Sequence, residues 1–68
     1  MTITVLLNGE RRRLAAPFSL DALVASLTAA HSGVAAAVNE TVVPRSRWSA
    51  TALADGDRVE ILTAVQGG

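Results

Sequence analysis

The chain has 68 residues, half of them apolar, and six basic residues balance six acidic ones to give zero formal net charge. This length allows one domain with one small core, and the neutral balance argues against general nucleic-acid binding. The absence of cysteine excludes disulfides, thiolate metal sites and a cysteine nucleophile. Without a signal-peptide pattern or a membrane-length apolar run, the chain is expected to be soluble and cytoplasmic.

The chain opens with a predicted β-hairpin. Residues 2–7 alternate between two faces and run into Asn8-Gly9, a typical two-residue hairpin turn. The return strand, residues 10–14, carries three consecutive arginines, Arg11 to Arg13, which a period of two divides between faces. We interpret them as a charged strand edge that discourages unwanted pairing. Docking to an acidic partner is the alternative interpretation.

One helix is predicted after Pro17. Ser19 is placed to cap its first free backbone N–H groups, and Asp21 in the first turn suits the helix dipole. Gly33 is the predicted stop. The apolar face predicted to pack on the hairpin follows the i, i+3, i+4, i+7 spacing and consists of Leu20, Leu23, Val24 and Leu27.

Short extended segments follow. Residues 34–38 and 41–43 are predicted strands separated by the turn residues Asn39-Glu40, and Pro44 ends the second. Residues 45–48 are predicted to form an irregular or single-turn segment that places Trp48 over the core edge. Residues 55–57 resemble part of a calcium loop but lack the other oxygen ligands, so they are assigned to a turn and no metal site is predicted.

The last strand, residues 58–64, places Leu62 on the face opposite Val59 and Ile61. The order of elements predicts an α+β fold with one main helix on one face of a small mixed sheet. Residues 1–64 would form the domain and residues 65–68 a flexible tail. With the first and last strands adjacent, Leu6 and Leu62 are expected to lie near each other on the open face as a candidate partner surface. The alternative is two isolated surface leucines.

The tail, Val65-Gln66-Gly67-Gly68, is the candidate site of chemistry. Gly67 and Gly68 have no Cβ, so their backbone can enter a narrow cleft and present the Gly68 carboxylate to a partner. Counted from Val65, the tail reaches roughly 13 Å when extended at about 3.3 Å per residue. A loose terminus, a linker or a remnant of cloning would have the same appearance.

Several segments together carry a family resemblance. They are Asn8-Gly9-Glu10, Val38-Asn39, Val43-Pro44-Arg45-Ser46 followed by Trp48, the run from Leu53 to Ile61, and Thr63-Ala64-Val65-Gln66 leading into Gly67-Gly68. On these residues the chain resembles the β-grasp, ubiquitin-like sulfur carriers, and within them the ThiS family of thiamine biosynthesis. Two departures touch turns and edges: the first strand is a residue longer, and Glu40 replaces a glycine common after the asparagine.

The resemblance implies a protein that is consumed as a co-substrate, with no catalytic residues of its own. An adenylating enzyme resembling ubiquitin E1 (ThiF-like) would use ATP and magnesium to convert the Gly68 carboxylate to an acyl-adenylate. A sulfur donor protein carrying a persulfide would then yield a Gly68 thiocarboxylate, and a ThiG-like thiazole synthase would take the sulfur for the thiazole ring. Val65, Gln66 and Gly67 would be the tail residues that these partners recognise, and the carrier itself would bind no cofactor.

Other interpretations remain open. The small subunit of molybdopterin synthase, or a carrier for another sulfur pathway, also ends in Gly-Gly but commonly has a longer middle segment. A β-grasp module that only binds other proteins, with an inert tail, is an alternative of a different class. An independent enzyme is the weakest interpretation, because one histidine and no cysteine leave few groups for acid–base or nucleophilic work.

Overall fold

The structure is a computed structural model, and it describes residues 1–28 and 33–63. Its elements are, in chain order, β1 (Thr2–Leu7), β2 (Glu10–Ala15), α1 (Leu20–Leu27), β3 (Val34–Val38), β4 (Thr41–Val43), a 3₁₀ helix (Arg45–Ala50) and β5 (Arg58–Thr63). The strands form one five-stranded sheet in the order β2-β1-β5-β3-β4. The β1–β5 pair is parallel, and the other neighbouring pairs are antiparallel. The predicted α+β architecture, with a mixed sheet and adjacent first and last strands, is confirmed.

The core lies between α1 and one face of the sheet. Alternation along the central strands sends every second side chain to this face, so Val59 and Ile61 of β5 are buried while the residues between them are exposed. Trp48 is also buried, and its indole Nε1 donates a hydrogen bond of 2.8 Å to the Val43 carbonyl. The buried apolar set comprises Ile3, Val5, Leu7, Leu20, Leu23, Val24, Ala36, Trp48, Leu53, Val59 and Ile61.

Helix α1 begins as predicted and ends earlier than predicted. The Ser19 hydroxyl caps it by accepting a hydrogen bond of 3.1 Å from the Ala22 N–H. Thr28 is already extended, with φ −152°, so Gly33 is not the stop, and Leu27 is 41% exposed rather than part of the buried face. The Ser26 hydroxyl donates 2.7 Å to the Leu23 carbonyl, a local bond that competes with helix geometry in the last turn.

The turn between β1 and β2 also holds β5. Asn8 and Gly9 have φ values of 50° and 85°, the pair of left-handed residues that a type I′ hairpin requires. The Asn8 side chain then acts as an extra strand residue: its Oδ1 accepts 2.9 Å from the Ile61 N–H, and its Nδ2 donates 3.1 Å to the Ile61 carbonyl. β1 ends at Leu7, and the Asn8 side chain in the turn supplies the next hydrogen-bond partners to β5 on the same side.

The turn between β3 and β4 holds β5 from the other side. Asn39 and Glu40 have φ values of 52° and 70°, which again indicates a type I′ turn. The Asn39 backbone N–H donates 2.7 Å to the Arg58 carbonyl, and its Oδ1 accepts 3.0 Å from the Arg58 N–H. Its Nδ2 donates 3.0 Å to a carboxylate oxygen of Asp57. The start of β5 is thus attached to this hairpin by three hydrogen bonds from one residue.

Residues 55–57 form a tight turn, as predicted. Gly56 has φ 88°, which a residue with a Cβ rarely adopts, and Asp57 accepts 2.8 Å from the Ala54 N–H. Asp55 accepts 2.8 Å from the Thr4 N–H, which ties the turn to β1. The Asp57 carboxylate therefore stabilises the turn itself, and the Asp55 carboxylate connects the turn to β1.

The Asn8 amide can be tested without disturbing the turn. We expect Asn8→Gly to keep the positive φ but lose both side-chain bonds to Ile61, which lowers the free energy of unfolding by about 1–2 kcal/mol. Urea unfolding of the two proteins measures this difference. Gly9→Ala is the companion variant, because it strains the same turn and leaves the amide in place. Equal stability of Asn8→Gly and the parent would show that the amide bonds contribute nothing.

Glu40 occupies a backbone conformation that glycine adopts more readily. We expect Glu40→Gly to raise the free energy of unfolding by about 0.5–1 kcal/mol, since relief of the left-handed conformation outweighs an exposed ion pair and the greater freedom of glycine when unfolded. The midpoint of urea unfolding is the measurement. Glu40→Ala removes the same ion pair but keeps the positive φ, so it should show no gain. A Glu40→Gly protein no more stable than Glu40→Ala would contradict the strain argument.

Candidate functional site

The four predicted tail residues, Val65, Gln66, Gly67 and Gly68, lie outside the described residues. The structure does describe the strand that leads to them. β5 is the central strand, and its last residue, Thr63, pairs with Val34 of β3. The chain therefore enters the tail from the middle of the sheet.

The attachment of β5 is strong along most of its length. β3 pairs with it from Val59 to Thr63. On the other side, β1 and the Asn8 side chain bond it as far as Ile61. Within the described part of the chain, Leu62 and Thr63 pair with β3 alone. The strand that carries the tail is therefore hydrogen-bonded on both sides as far as Ile61, two residues before its last residue, Thr63.

Leu6 and Leu62 lie on the predicted face but not near each other. Both alternate with buried residues, and both are exposed, Leu6 at 37% and Leu62 at 70%. The parallel register pairs Leu6 with Arg58, whereas Leu62 is opposite Ala35. Leu62 is thus four residues further along β5, about 13 Å at roughly 3.3 Å per residue. Adjacent strands do not imply adjacent leucines, and the expectation of a shared Leu6–Leu62 cluster is corrected.

Leu62 has other apolar neighbours, which the sequence analysis missed. Leu62 is opposite Ala35, and Ala37, two residues along β3, is opposite Val42. Val42 is 73% exposed. The signal was present in the uniform apolar run Val34-Ala35-Ala36-Ala37-Val38, since a strand that is apolar at every position has apolar side chains on both faces. We call this set of side chains on the open face the apolar patch: Ala35, Ala37, Val42 and Leu62.

Leu6 has charged neighbours instead. It is opposite Arg11 on β2 and Arg58 on β5, and Arg58 Nη2 lies 3.4 Å from a carboxylate oxygen of Glu40. A shallow cavity of about 200 Å³ opens here. The residues that line it are Leu6, Gly9, Glu40, Arg58, Val59 and Glu60. The open face therefore has an apolar part beside the tail attachment and a charged part around Leu6.

The described residues hold no group of three or more histidine, cysteine, aspartate or glutamate side chains placed to bind a metal ion. No helix in the described part of the chain is long and apolar enough to cross a lipid bilayer.

The sequence of the chain is similar to those of known proteins. Over 64 residues, 94% of the chain, it is 30% identical to the sulfur carrier protein ThiS of Escherichia coli and spans 97% of that protein. It is also 34% identical over 64 residues to a thiazole synthase of Paramagnetospirillum magneticum, of which it spans only 20%.

The fold comparison gives the same family. The chain superimposes on the crystal structure of the thiamine biosynthesis protein ThiS from Geobacter metallireducens with a TM-score of 0.76 and 28% identity, covering 97% of this chain and 100% of that one. The mixed five-stranded sheet with one helix is therefore a β-grasp fold. The ThiS family model matches residues 5–68, which includes both glycines of the tail. The chain belongs to the ThiS family.

Proposed function

We propose that this protein is a sulfur carrier of thiamine biosynthesis, and that the carboxylate of Gly68 is the group on which sulfur is loaded. The observation that carries the proposal is the family match, which continues through residue 68. The attachment of the tail supports it, because the central strand β5 leads directly into residues 64–68. The protein takes part as a substrate of its partners and not as a catalyst.

Activation of the carboxylate is the first step of the proposed reaction. A carboxylate is a poor electrophile until one of its oxygens becomes part of a good leaving group. A partner enzyme resembling ubiquitin E1 would bind ATP with magnesium and align a Gly68 oxygen with the α-phosphorus. Attack at this phosphorus forms the acyl-adenylate and releases pyrophosphate. Gly67 and Gly68 suit this step because their backbone can enter a narrow cleft.

Sulfur transfer is the second step. The terminal sulfur of a donor protein's persulfide attacks the activated carbonyl carbon and displaces AMP, which leaves an acyl disulfide between carrier and donor. A dithiol, or two thiols, from another molecule then reduces the sulfur–sulfur bond: the donor cysteine is released as a thiol, and the reductant is oxidised to a disulfide. The product on the carrier is the Gly68 thiocarboxylate. This chain has no cysteine, so both the persulfide and the reducing thiol must come from other molecules.

Thiazole synthase is the proposed acceptor of the sulfur. A protein named thiazole synthase contains a stretch similar to 94% of this chain, which supports an association between carrier and synthase. Val65 and Gln66 would lie at the mouth of the partner's cleft, and the apolar patch would contact the partner beside the point where the tail enters. Leu62, six residues before Gly68, is the patch residue nearest to the tail in sequence.

The position of the terminal carboxylate can be moved without touching the domain. Adding one alanine after Gly68 displaces the carboxylate by about 3.5 Å, and a misplacement of 1 Å can lower a rate on the order of a hundredfold. We expect ATP–pyrophosphate exchange with the cognate adenylating enzyme to fall at least that far. Gly67→Val should have a similar effect through its branched Cβ and restricted φ.

Thermal unfolding of both tail variants should match the parent, because terminal residues make few packed contacts. Intact mass analysis after addition of a sulfur source should show one terminal oxygen replaced by sulfur in the parent alone. Unchanged exchange in both tail variants would refute the carrier proposal and favour a protein-binding module with an inert tail.

The apolar patch can be tested with a single charge. Leu62→Glu places a carboxylate within it, and we expect affinity for the adenylating enzyme to fall at least about tenfold, because burial of a leucine contributes roughly 1.5–3 kcal/mol. Isothermal titration calorimetry is the measurement. Leu27→Glu is the matched control, since Leu27 is exposed on the helix, away from the open face. Equal affinities of Leu62→Glu and the parent would exclude the patch from the interface.

A further inference from the structure

Three arginines share the charged part of the open sheet face. The register places Arg11, Leu6 and Arg58 in one row across β2, β1 and β5. Arg13, two residues further along β2, is opposite Thr4 and faces the same way. Directly opposed residues on neighbouring strands have their Cβ atoms about 4.5–5.5 Å apart, so the Arg11 and Arg58 side chains start on either side of the Leu6 side chain. We call Arg11, Arg13 and Arg58, with Leu6 between them, the basic strip.

The strip is positively charged although the whole chain is neutral. Arg58 is paired with Glu40, but neither Arg11 nor Arg13 forms an ion pair with any described residue. The carboxylates of Asp55 and Asp57 accept hydrogen bonds from backbone and amide N–H groups, and neither forms an ion pair with an arginine among the described residues. Glu60 lies on the same face, opposite Ala37, and lines the cavity beside Leu6 and Arg58, so its carboxylate lies on the β5 side of the strip and not beside β2. The unpaired positive charge of the strip is therefore concentrated at Arg11 and Arg13, which have no ion-pair partner among the described residues.

Protection of the sheet edge does not account for the whole strip. Charged residues on an edge strand discourage pairing with another chain, and Arg12 supplies such a charge on the other face of β2. Arg58, however, belongs to the central strand, and Leu6 lies on β1, one strand in from the edge. The row continues across three strands and has an exposed apolar side chain between two arginines. This composition is typical of a binding surface and is not needed to protect a sheet edge.

We propose that the basic strip is a docking surface for an acidic surface of the adenylating enzyme, separate from the apolar patch. This inference rests on the proposed function for the identity of the partner. The complementary surface carries carboxylates opposite Arg11 and Arg13 and an apolar side chain opposite Leu6. Exposed complementary charges act mainly by steering the encounter, so the strip raises the association rate more than it slows dissociation. Only three guanidinium groups and no aromatic side chain lie on the strip, which favours a protein over a nucleic acid.

The chain offers a matched pair of charge reversals. Arg11→Glu and Arg13→Glu change the strip, whereas Arg12→Glu makes the same change in net charge on the opposite face of the same exposed strand. We expect each strip variant to slow association with the adenylating enzyme by about three- to tenfold at low ionic strength, and the difference to shrink as salt is added. Arg12→Glu should stay within about twofold of the parent. Stopped-flow fluorescence at several salt concentrations measures these rates.

Glu40 provides a variant with the opposite expected effect. Glu40→Gln removes the carboxylate that pairs with Arg58 and leaves the side chain close to its original size. The strip then has a larger net positive charge, and association should become about two- to threefold faster. General damage to the fold cannot produce a faster association, so this variant separates steering from misfolding.

Three results would overturn the inference. Equal slowing by Arg12→Glu and Arg11→Glu would mean that net charge, and not the strip, controls association. Binding of a single-stranded oligonucleotide that is lost in Arg11→Glu would identify a nucleic acid as the partner. Mass analysis of the parent protein separates this inference from the proposed function. If the parent gains a thiocarboxylate while the strip variants associate at the parent rate, the carrier function stands and the strip inference is wrong.

Discussion

The backbone of β5 is the constraint on which the rest of the structure depends. Two type I′ turns, each with an asparagine in the left-handed conformation, reach this strand from opposite sides, Asn8 at Ile61 and Asn39 at Arg58. Both asparagine side chains form hydrogen bonds with backbone groups of β5 at positions that lie beyond the last residue of the neighbouring strand, β1 or β3. The last strand in sequence thereby becomes the central strand of the sheet, and Val59 and Ile61 become part of the core.

Because β5 is the central strand, the residues that stabilise the fold precede the proposed reactive residue in the chain. The core forms from α1, the 3₁₀ helix and the inner face of the sheet. The proposed reactive group lies beyond the end of β5, whereas the buried apolar set lies between Ile3 and Ile61 in the chain. The proposed cycle of activation, sulfur loading and sulfur release requires a domain that stays folded throughout. The central strand β5 supports such a domain because it is hydrogen-bonded to neighbours on both sides.

On the open face, strand register decides which side chains become neighbours. The same alternation that buries Val59 and Ile61 exposes Arg58, Glu60 and Leu62, and each of these acquires different neighbours from β1 and β3. Arg58 adjoins Leu6, and Leu62 adjoins Ala35. One face therefore carries an apolar patch beside the tail and a basic strip farther from it. Contacts of both kinds would orient a partner about the strand that delivers the tail.

Local signals in the sequence determined the hairpin turns, the start of the helix at Ser19, all five strands and the family to which the chain belongs. These features follow from periodicity, capping residues and turn residues that act over a few positions. The end of the helix at Leu27, well before Gly33, and the exposure of Leu27 did not follow from these signals. The separation of Leu6 from Leu62, and the grouping of Arg11 with Arg58, were decided only by the tertiary structure, because residues far apart in the chain become neighbours through strand register, which alternation within one strand does not specify.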